Sequence, residues 1–253
     1  MRKFSFLLLV LSSLSAYADS DGTLSLSPAV VMLRGDRGQS TTQALRLVNG
    51  TSRAFSFDLV AQDVFGRDGQ REYADAGMLP GSIAATAVFS RNHIEVPPGE
   101  TTVVDITVTL PAETKLRGVR ALFKGTNRVM SGNVPMIASL GSLLTFTVTG
   151  DVAMSAEPLV LRPQSATANL SASHTCTNSG SEPLVAKGVM AIVDANGALI
   201  GRSALQPHRL MPGESAELGA EYAGELDPGK YRVLVTYDYE GQTLTRTADL
   251  EVR

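Results

Sequence analysis

The 253 residues carry 22 Lys and Arg against 25 Asp and Glu, a formal net charge of −3, with one cysteine and no tryptophan. That mildly acidic balance gives nucleic acid no electrostatic footing, and a lone cysteine excludes an intrachain disulfide. The fold must be held by packed apolar cores, and the chain is long enough for two domains of about 100 residues.

The chain opens on a basic Met1-Arg2-Lys3, an apolar run from Phe4 to Leu14, and Ala16-Tyr17-Ala18 before Asp19. This is the pattern of a secretory signal with a small-x-small cleavage site. The apolar run is shorter than a membrane span, and no later segment is long and apolar enough to be one. The sequence therefore predicts a signal peptide over 1–18, a mature start at Asp19, export to the periplasm and no stable membrane insertion.

From there almost every periodic segment repeats every two residues, the period of a half-buried strand. Leu24 to Leu33 reads as a first strand, with Pro28 marking an edge or a break in pairing. Gln43 to Asn49 follows, then a turn at Asn49–Ser52. Phe55, Phe57 and Leu59 alternate with Ser56, Asp58 and Val60, which predicts a sheet with one wet face. Gly66 to Ser82, rich in charge and glycine, reads as a surface loop. His93–Val96 is a short strand. Pro97-Pro98-Gly99-Glu100 then turns the chain into a strand whose Val104, Ile106, Val108 and Leu110 share one face. Gly118 to Gly125 is a further strand, Gly125 to Asn133 a loop, and Ala138 to Gly150 a long last strand. That is about seven strands, the count of a sandwich.

At Asp151 the pattern begins again. Strands are read at Pro158–Pro163, Ala168–Asn178, on both sides of an Asp194-Ala195-Asn196-Gly197 hairpin turn, after Met211-Pro212-Gly213-Glu214, and over the last residues to Val252. The second Pro-Gly-Glu turn occupies the place of the first, which points to two similar sandwiches in tandem. Tyr231, following a Leu226-Asp227-Pro228-Gly229 turn, fits a tyrosine corner, in which the phenol bonds back to nearby backbone. The expected fold is all-β, with immunoglobulin-like domains at 19–150 and 151–253.

Chemistry is sparse. The three histidines, His93, His174 and His208, lack a metal-ligand pattern around them. His174 and Cys176 leave the same strand face. They are either two soft-metal ligands or, with Leu170 and Ala172, positions of a sheet core; two ligands do not make a site. Asp68, Glu72 and Asp75 lie among Arg67 and Arg71 in the Gly66–Ser82 segment and read as a solvated, charge-mixed surface, with a carbohydrate or cation contact as the alternative. Asn49-Gly50-Thr51 and Asn169-Leu170-Ser171 match the glycosylation pattern. No nucleophile elbow and no phosphate-cradling glycine loop occurs. The expectation is a binding protein, not an enzyme, with no cofactor and no metal.

The most functional-looking segment is the last strand of the first half. Met136, Ala138, Leu140, Ser142, Leu144, Phe146 and Val148 fall on one face and Leu143 on the other. It is either an edge that accepts another chain by β-augmentation or a central sandwich strand. The candidate partner-binding residues are Leu140, Leu143, Leu144, Phe146 and Val148.

A signal peptide, two immunoglobulin-like halves and the runs LSLSPAVVMLRG, LRLVNGTSRAFSFDLVAQ, IEVPPGETTVVDITVTLP and LGSLLTFTV resemble the periplasmic pilus-assembly chaperones. The second half, with Asn178, Gly180, Asp194, Gly197, Pro212-Gly213 and Leu226 to Tyr231, is similar to modules of exported bacterial proteins. The resemblance implies a chaperone-like protein that pairs a strand with an exported, pilin-like subunit. The alternative is a structural or adhesive surface-binding module. The family's chaperones also hold a client's C-terminal carboxylate with an arginine and a lysine. The arginine position falls on Val30 here, no Lys or Arg lies between Val134 and Gly150, and Arg34 and Lys124 sit elsewhere.

Overall fold

A computed structural model gives the fold and describes residues 22–131, 134–148, 150–163, 165 and 169–253. The signal peptide expected over 1–18 and the Asp19 start lie outside the described residues. The first sandwich contains β1 (Leu24–Ser27), β2 (Val30–Arg34), β3 (Ser40–Asn49), β4 (Phe55–Arg67), β5 (Gln70–Asp75), β6 (Val88–Phe89), β7 (His93–Val96), β8 (Thr101–Thr109), β9 (Gly118–Gly125), β10 (Val129–Ser131), β11 (Val134–Met136) and β12 (Ser139–Thr147). The second contains β13 (Met154–Ala156), β14 (Val160–Arg162), β15 (Leu170–Asn178), β16 (Leu184–Asp194), β17 (Leu199–Leu210), β18 (Ser215–Tyr222), β19 (Gly229–Tyr239) and β20 (Gln242–Val252). No helix among the described residues is long and apolar enough to cross a membrane.

In the first sandwich one sheet runs β1-β3-β8-β6 and the other β2-β12-β9-β4-β5, with β7 also paired to β4. The run read as one strand from Leu24 to Leu33 is two. It breaks at Pro28, so that β1 joins the first sheet beside β3 and β2 joins the second beside β12. Alternation fills the space between the sheets: Leu45, Leu47, Val104, Ile106 and Val108 come from one, and Phe57, Phe123, Leu144 and Phe146 from the other. Phe57 and Phe123 meet edge to face, with ring centroids 6.3 Å apart. Each fully buried side chain of this size contributes about 1.5–3 kcal/mol.

In the second sandwich β15 lies between β13 and β14 on one side and β18 on the other, facing a β17-β16-β19-β20 sheet. The Asp194–Gly197 hairpin forms between β16 and β17, closed by Asp194 N–H donating to Ala198 O at 3.0 Å. Tyr231 donates its phenol to Asp227 O at 2.8 Å, the bond expected of a tyrosine corner. The His174 and Cys176 side chains lie in this second core. Both nitrogens of His174 already have protein partners, Glu157 O at 3.0 Å and the Tyr237 phenol at 2.9 Å, so the pair is core rather than a ligand set.

Two expectations change. Gly66 to Ser82 is not simply a surface loop: β4 runs on to Arg67, the chain turns at Asp68-Gly69, and β5 pairs back along β4. A 3₁₀ turn at Ala84–Thr86 follows. Asn49 cannot serve as a glycosylation acceptor in the fold, because its side chain is fully buried and its amide is bonded to the backbone.

Candidate functional site: a half-open strand beside the domain junction

β12 is an edge along part of its length and an interior strand along the rest. It runs antiparallel to β9 from Ser139 to Thr145. On its other side β2 lies parallel to it, but only from Leu143 to Thr147. The cover begins where Leu143 N–H donates to Ala29 O at 2.9 Å and Ser142 Oγ–H donates to Pro28 O at 2.7 Å. Beside Ser139–Gly141 no described strand occupies that side. Backbone polar groups alternate along a strand, so the amides of Ser139 and Gly141 point the same way as that of Leu143, into the uncovered edge. Gly141 also keeps the outer sheet face low at this point; a Cβ there would stand 3.1 Å from the Arg120 side chain.

The five residues expected to meet a partner separate by face. Leu144 and Phe146 are 1% and 5% exposed and belong to the first core. This corrects their reading as surface contacts: their side chains are spent on the sandwich. Leu140 and Val148 are half-buried against the same core. Leu143 alone turns to the outer face, where Val30 and Met32 stand exposed beside it on β2. Val60, the register partner of Leu122 on the same sheet, is exposed as well. Met130, Met136 and Ile137, in and just after the β10–β11 hairpin, lead into the open end of β12 and are exposed too. The uncovered edge is thus flanked by apolar side chains, only some of which the strand pattern identified.

The covered end of β12 runs into the domain junction. Glu182 is 0% exposed and its carboxylate accepts from Arg117 Nε at 3.0 Å and from Val148 N–H at 3.0 Å. Arg71, at the start of β5, donates to Glu214 Oε2 at 2.9 Å and to Arg209 O at 2.9 Å. Arg209 in turn donates to Thr145 Oγ1 on β12 at 3.0 Å. Burial and the neighbouring Arg71 cation pull Arg209 below the usual guanidinium range, while Glu240 opposes that shift. The Gly66 backbone passes so close to Pro212–Glu214 that a Cβ at Gly66 would lie 2.4 Å from Pro212 O. Ser215 N–H donates to Gly69 O at 2.8 Å. The hairpin read as a free loop is therefore the first sandwich's docking element for the second Pro-Gly-Glu turn. None of these pairs is close in sequence, so no local pattern signals them.

One cluster has the order of a hydrolytic triad. Ser56 Oγ lies 3.2 Å from His93 Nε2, and His93 Nδ1 lies 2.8 Å from Asp58 Oδ1. Such a triad also needs donors for a developing oxyanion. The nearby amides are already used: Ser56 N–H by Asn127 Oδ1, Thr126 N–H by Ser56 O, and Gly125 N–H by Ser139 Oγ. His93 and Asp58 are each about half exposed. The cluster is a polar tie between β4 and β7 on the wet face of the sheet.

No family model matches the chain, and no curated protein matches it. Among solved structures the chain is similar to fimbrial and pilus chaperones. The class 5 fimbriae chaperone CfaA is 12% identical, with 89% of this chain and 98% of that chain covered and a TM-score of 0.48. In the CsuC–CsuE chaperone–tip subunit pre-assembly complex from the archaic Csu pili of Acinetobacter baumannii, the matched chain is 8% identical, with 90% and 98% covered and a TM-score of 0.45. The E. coli chaperone DraB is 16% identical, with 90% and 98% covered and a TM-score of 0.38. At these identities and scores, the role of the site is carried by its own geometry.

Proposed function

We propose that this chain is a periplasmic, chaperone-like binding protein that holds an exported, pilin-like subunit by adding the client's strand to the open edge of β12. The observation that carries this reading is the half-covered strand: backbone groups uncovered at Ser139–Gly141, with Leu143, Val30 and Met32 beside them on the outer face. Main-chain pairing supplies affinity in such a mode, and neighbouring apolar positions supply selectivity. An uncovered edge is also a hazard for a free protein, so a client that covers it gives the edge a purpose. The role is binding rather than catalysis. The basic anchor that the family resemblance implies is not at Val30; Arg209, which reaches β12 from the second sandwich, is our candidate for it.

The test is a pull-down from periplasm with Gly141→Pro. Proline removes an outward-pointing donor and leaves the pairing with β9 in place. The variant should melt like wild type and recover about tenfold less client, which corresponds to about 1.4 kcal/mol. Arg209→Ala should recover an intermediate amount. A Gly141→Pro protein that folds and keeps its client sends the search to the Leu199–Ile200 face or the other wet surfaces, and the adhesive-module reading takes over.

A further inference from the structure

Apart from Met1, the methionines divide sharply by burial. Met154 and Met190 lie in the second core and Met211 at the domain junction, none more than 7% exposed, and the single thiol, Cys176, is fully buried. Met32, Met78, Met130 and Met136 are 49–74% exposed. Methionine is among the residue types most often buried, so a cluster of exposed ones calls for a reason. Three of the four stand around the open stretch of β12. Met136 pairs with Val129 in the β10–β11 hairpin and precedes Ser139 by three residues, and Met130 lies on the other strand of that hairpin. Met32 stands opposite Thr145 on β2, beyond the other end of the open stretch. The fourth, Met78, follows β5 at the opposite edge of the same sheet.

An unbranched, polarisable thioether adapts to partners of varied shape. It is also an apolar side chain that a two-electron oxidant turns polar. With hydrogen peroxide the sulfur lone pair attacks one peroxide oxygen and the O–O bond breaks. The sulfur is oxidised and keeps that oxygen, and the peroxide is reduced: methionine and hydrogen peroxide give methionine sulfoxide and water. The sulfoxide oxygen is an acceptor that a packed interface cannot bury without a donor. Beside β12 such an oxygen faces the client, and at Met78 it faces water.

Resting on the reading of β12 as the client edge, we propose that Met32, Met130 and Met136 form an oxidation-sensitive modification site. A peroxide-class oxidant converts their thioethers to sulfoxides and releases the client, and sulfoxide reduction resets the edge. The sulfurs of both the second core and the junction are shielded, so binding is lost while the fold stays intact.

The test treats the purified protein with dilute hydrogen peroxide and follows each methionine by peptide mass. Met32, Met78, Met130 and Met136 should oxidise first, with Met154, Met190 and Met211 still reduced and the thermal melt unchanged. The probe is an untreated periplasmic extract without added reductant. The readout is the protein that wild type recovers and Gly141→Pro does not. Oxidised wild type should recover about tenfold less of it, the loss for one unpartnered polar group in a packed interface. Methionine sulfoxide reductases acting on both sulfoxide epimers should restore it. Met78→Leu should lose the client on oxidation as wild type does. The triple variant Met32→Leu, Met130→Leu, Met136→Leu should stay near its own level before oxidation. Recovery that survives oxidation of all three positions, an equal loss in the triple variant, or no loss in Met78→Leu overturns the proposal and leaves the client edge standing. If no protein is recovered by wild type and missed by Gly141→Pro, the client edge and the oxidation site fall together. If the triple variant recovers nothing before oxidation, the reductase reversal and Met78→Leu decide.

Discussion

Asn49 and Asn178 end β3 and β15 and close two corners with the same bonds. In the first, Asn49 N–H donates to Glu100 O at 2.9 Å and Gly99 N–H donates to Asn49 O at 2.8 Å. The Asn49 amide donates to Val96 O at 2.9 Å and Arg53 O at 2.6 Å, while its oxygen accepts from Thr51 N–H at 3.1 Å. In the second, Asn178 N–H donates to Glu214 O and Gly213 N–H to Asn178 O, both at 2.9 Å. The Asn178 amide donates to Leu210 O at 3.0 Å and Glu182 O at 2.8 Å, and its oxygen accepts from Gly180 N–H at 3.0 Å. The turn glycines match as well, with φ of 75° at Gly99 and 77° at Gly213, where a side chain would be strained.

What differs is what lies around them. Pro97 to Glu100 are exposed, whereas Met211 and Glu214 are buried at the domain junction and Glu182 binds Arg117 across it. One local design thus serves as a plain strand-to-strand corner in one sandwich and as a docking corner in the other. If so, changes to the corner itself should cost the same in both copies, and changes to the surrounding side chains should not.

The largest expected effect is at the residues four places after each asparagine. Glu182→Ala strips the carboxylate from an Arg117 that is 4% exposed and should destabilise by about 3–5 kcal/mol, while opening the angle between the sandwiches in small-angle scattering. At the matching place in the first corner Asn49 holds the Arg53 carbonyl, a bond that Arg53→Ala keeps, so that variant should cost less than Glu182→Ala. Chemical denaturation measures both. Equal losses would mean that the junction is not held by the buried pair.

Next come the asparagines. Asn49→Ala and Asn178→Ala each orphan buried carbonyls and should each cost about 1–3 kcal/mol. The sharper reading is their similarity in stability and their difference in shape, since only Asn178→Ala should loosen the junction. A loss at Asn178 several times that at Asn49 would show that the two corners are not energetically equivalent.

The corners also mark how far the sequence could be read. The paired Pro-Gly-Glu turns and the alternation after them were legible because a turn residue and a two-residue period are local properties. Tyr231 was legible for the same reason. Asn49, by contrast, looked like a turn and a glycosylation pattern, and Asn178 stood out only as part of a resemblance to modules of exported proteins, because their bonds reach residues 47 and 32 places away. Leu144 and Phe146 drew attention as a greasy strand. Alternation says that such a face is buried, but not whether a core or a partner buries it. That depended on β2, which leaves the first sheet at Pro28 and covers only half of β12. The docking hairpin at Gly66–Arg71 was hidden altogether, since polar and glycine-rich text is the same whether a turn meets water or a second domain.

The smallest expected effect separates the two turn glutamates. Glu214 Oε2 accepts from Arg71 and from Met211 N–H at 2.9 Å. The first corner cannot copy the second of these bonds, because Pro97 stands where Met211 does and proline has no N–H. Glu100 is exposed. Glu214→Ala should therefore cost about 1–3 kcal/mol, the range for leaving a buried donor without its acceptor. Glu100→Ala should stay within about 0.5 kcal/mol. Arg71→Ala should reproduce part of the Glu214→Ala loss, and the double variant should cost less than the sum, since the two side chains share a bond. Urea melts of the four proteins measure this. A Glu214→Ala protein as stable as Glu100→Ala would mean that the second turn docks through backbone contacts at Gly66 and Gly69 alone, and that the Pro-to-Met difference between the corners has no energetic consequence.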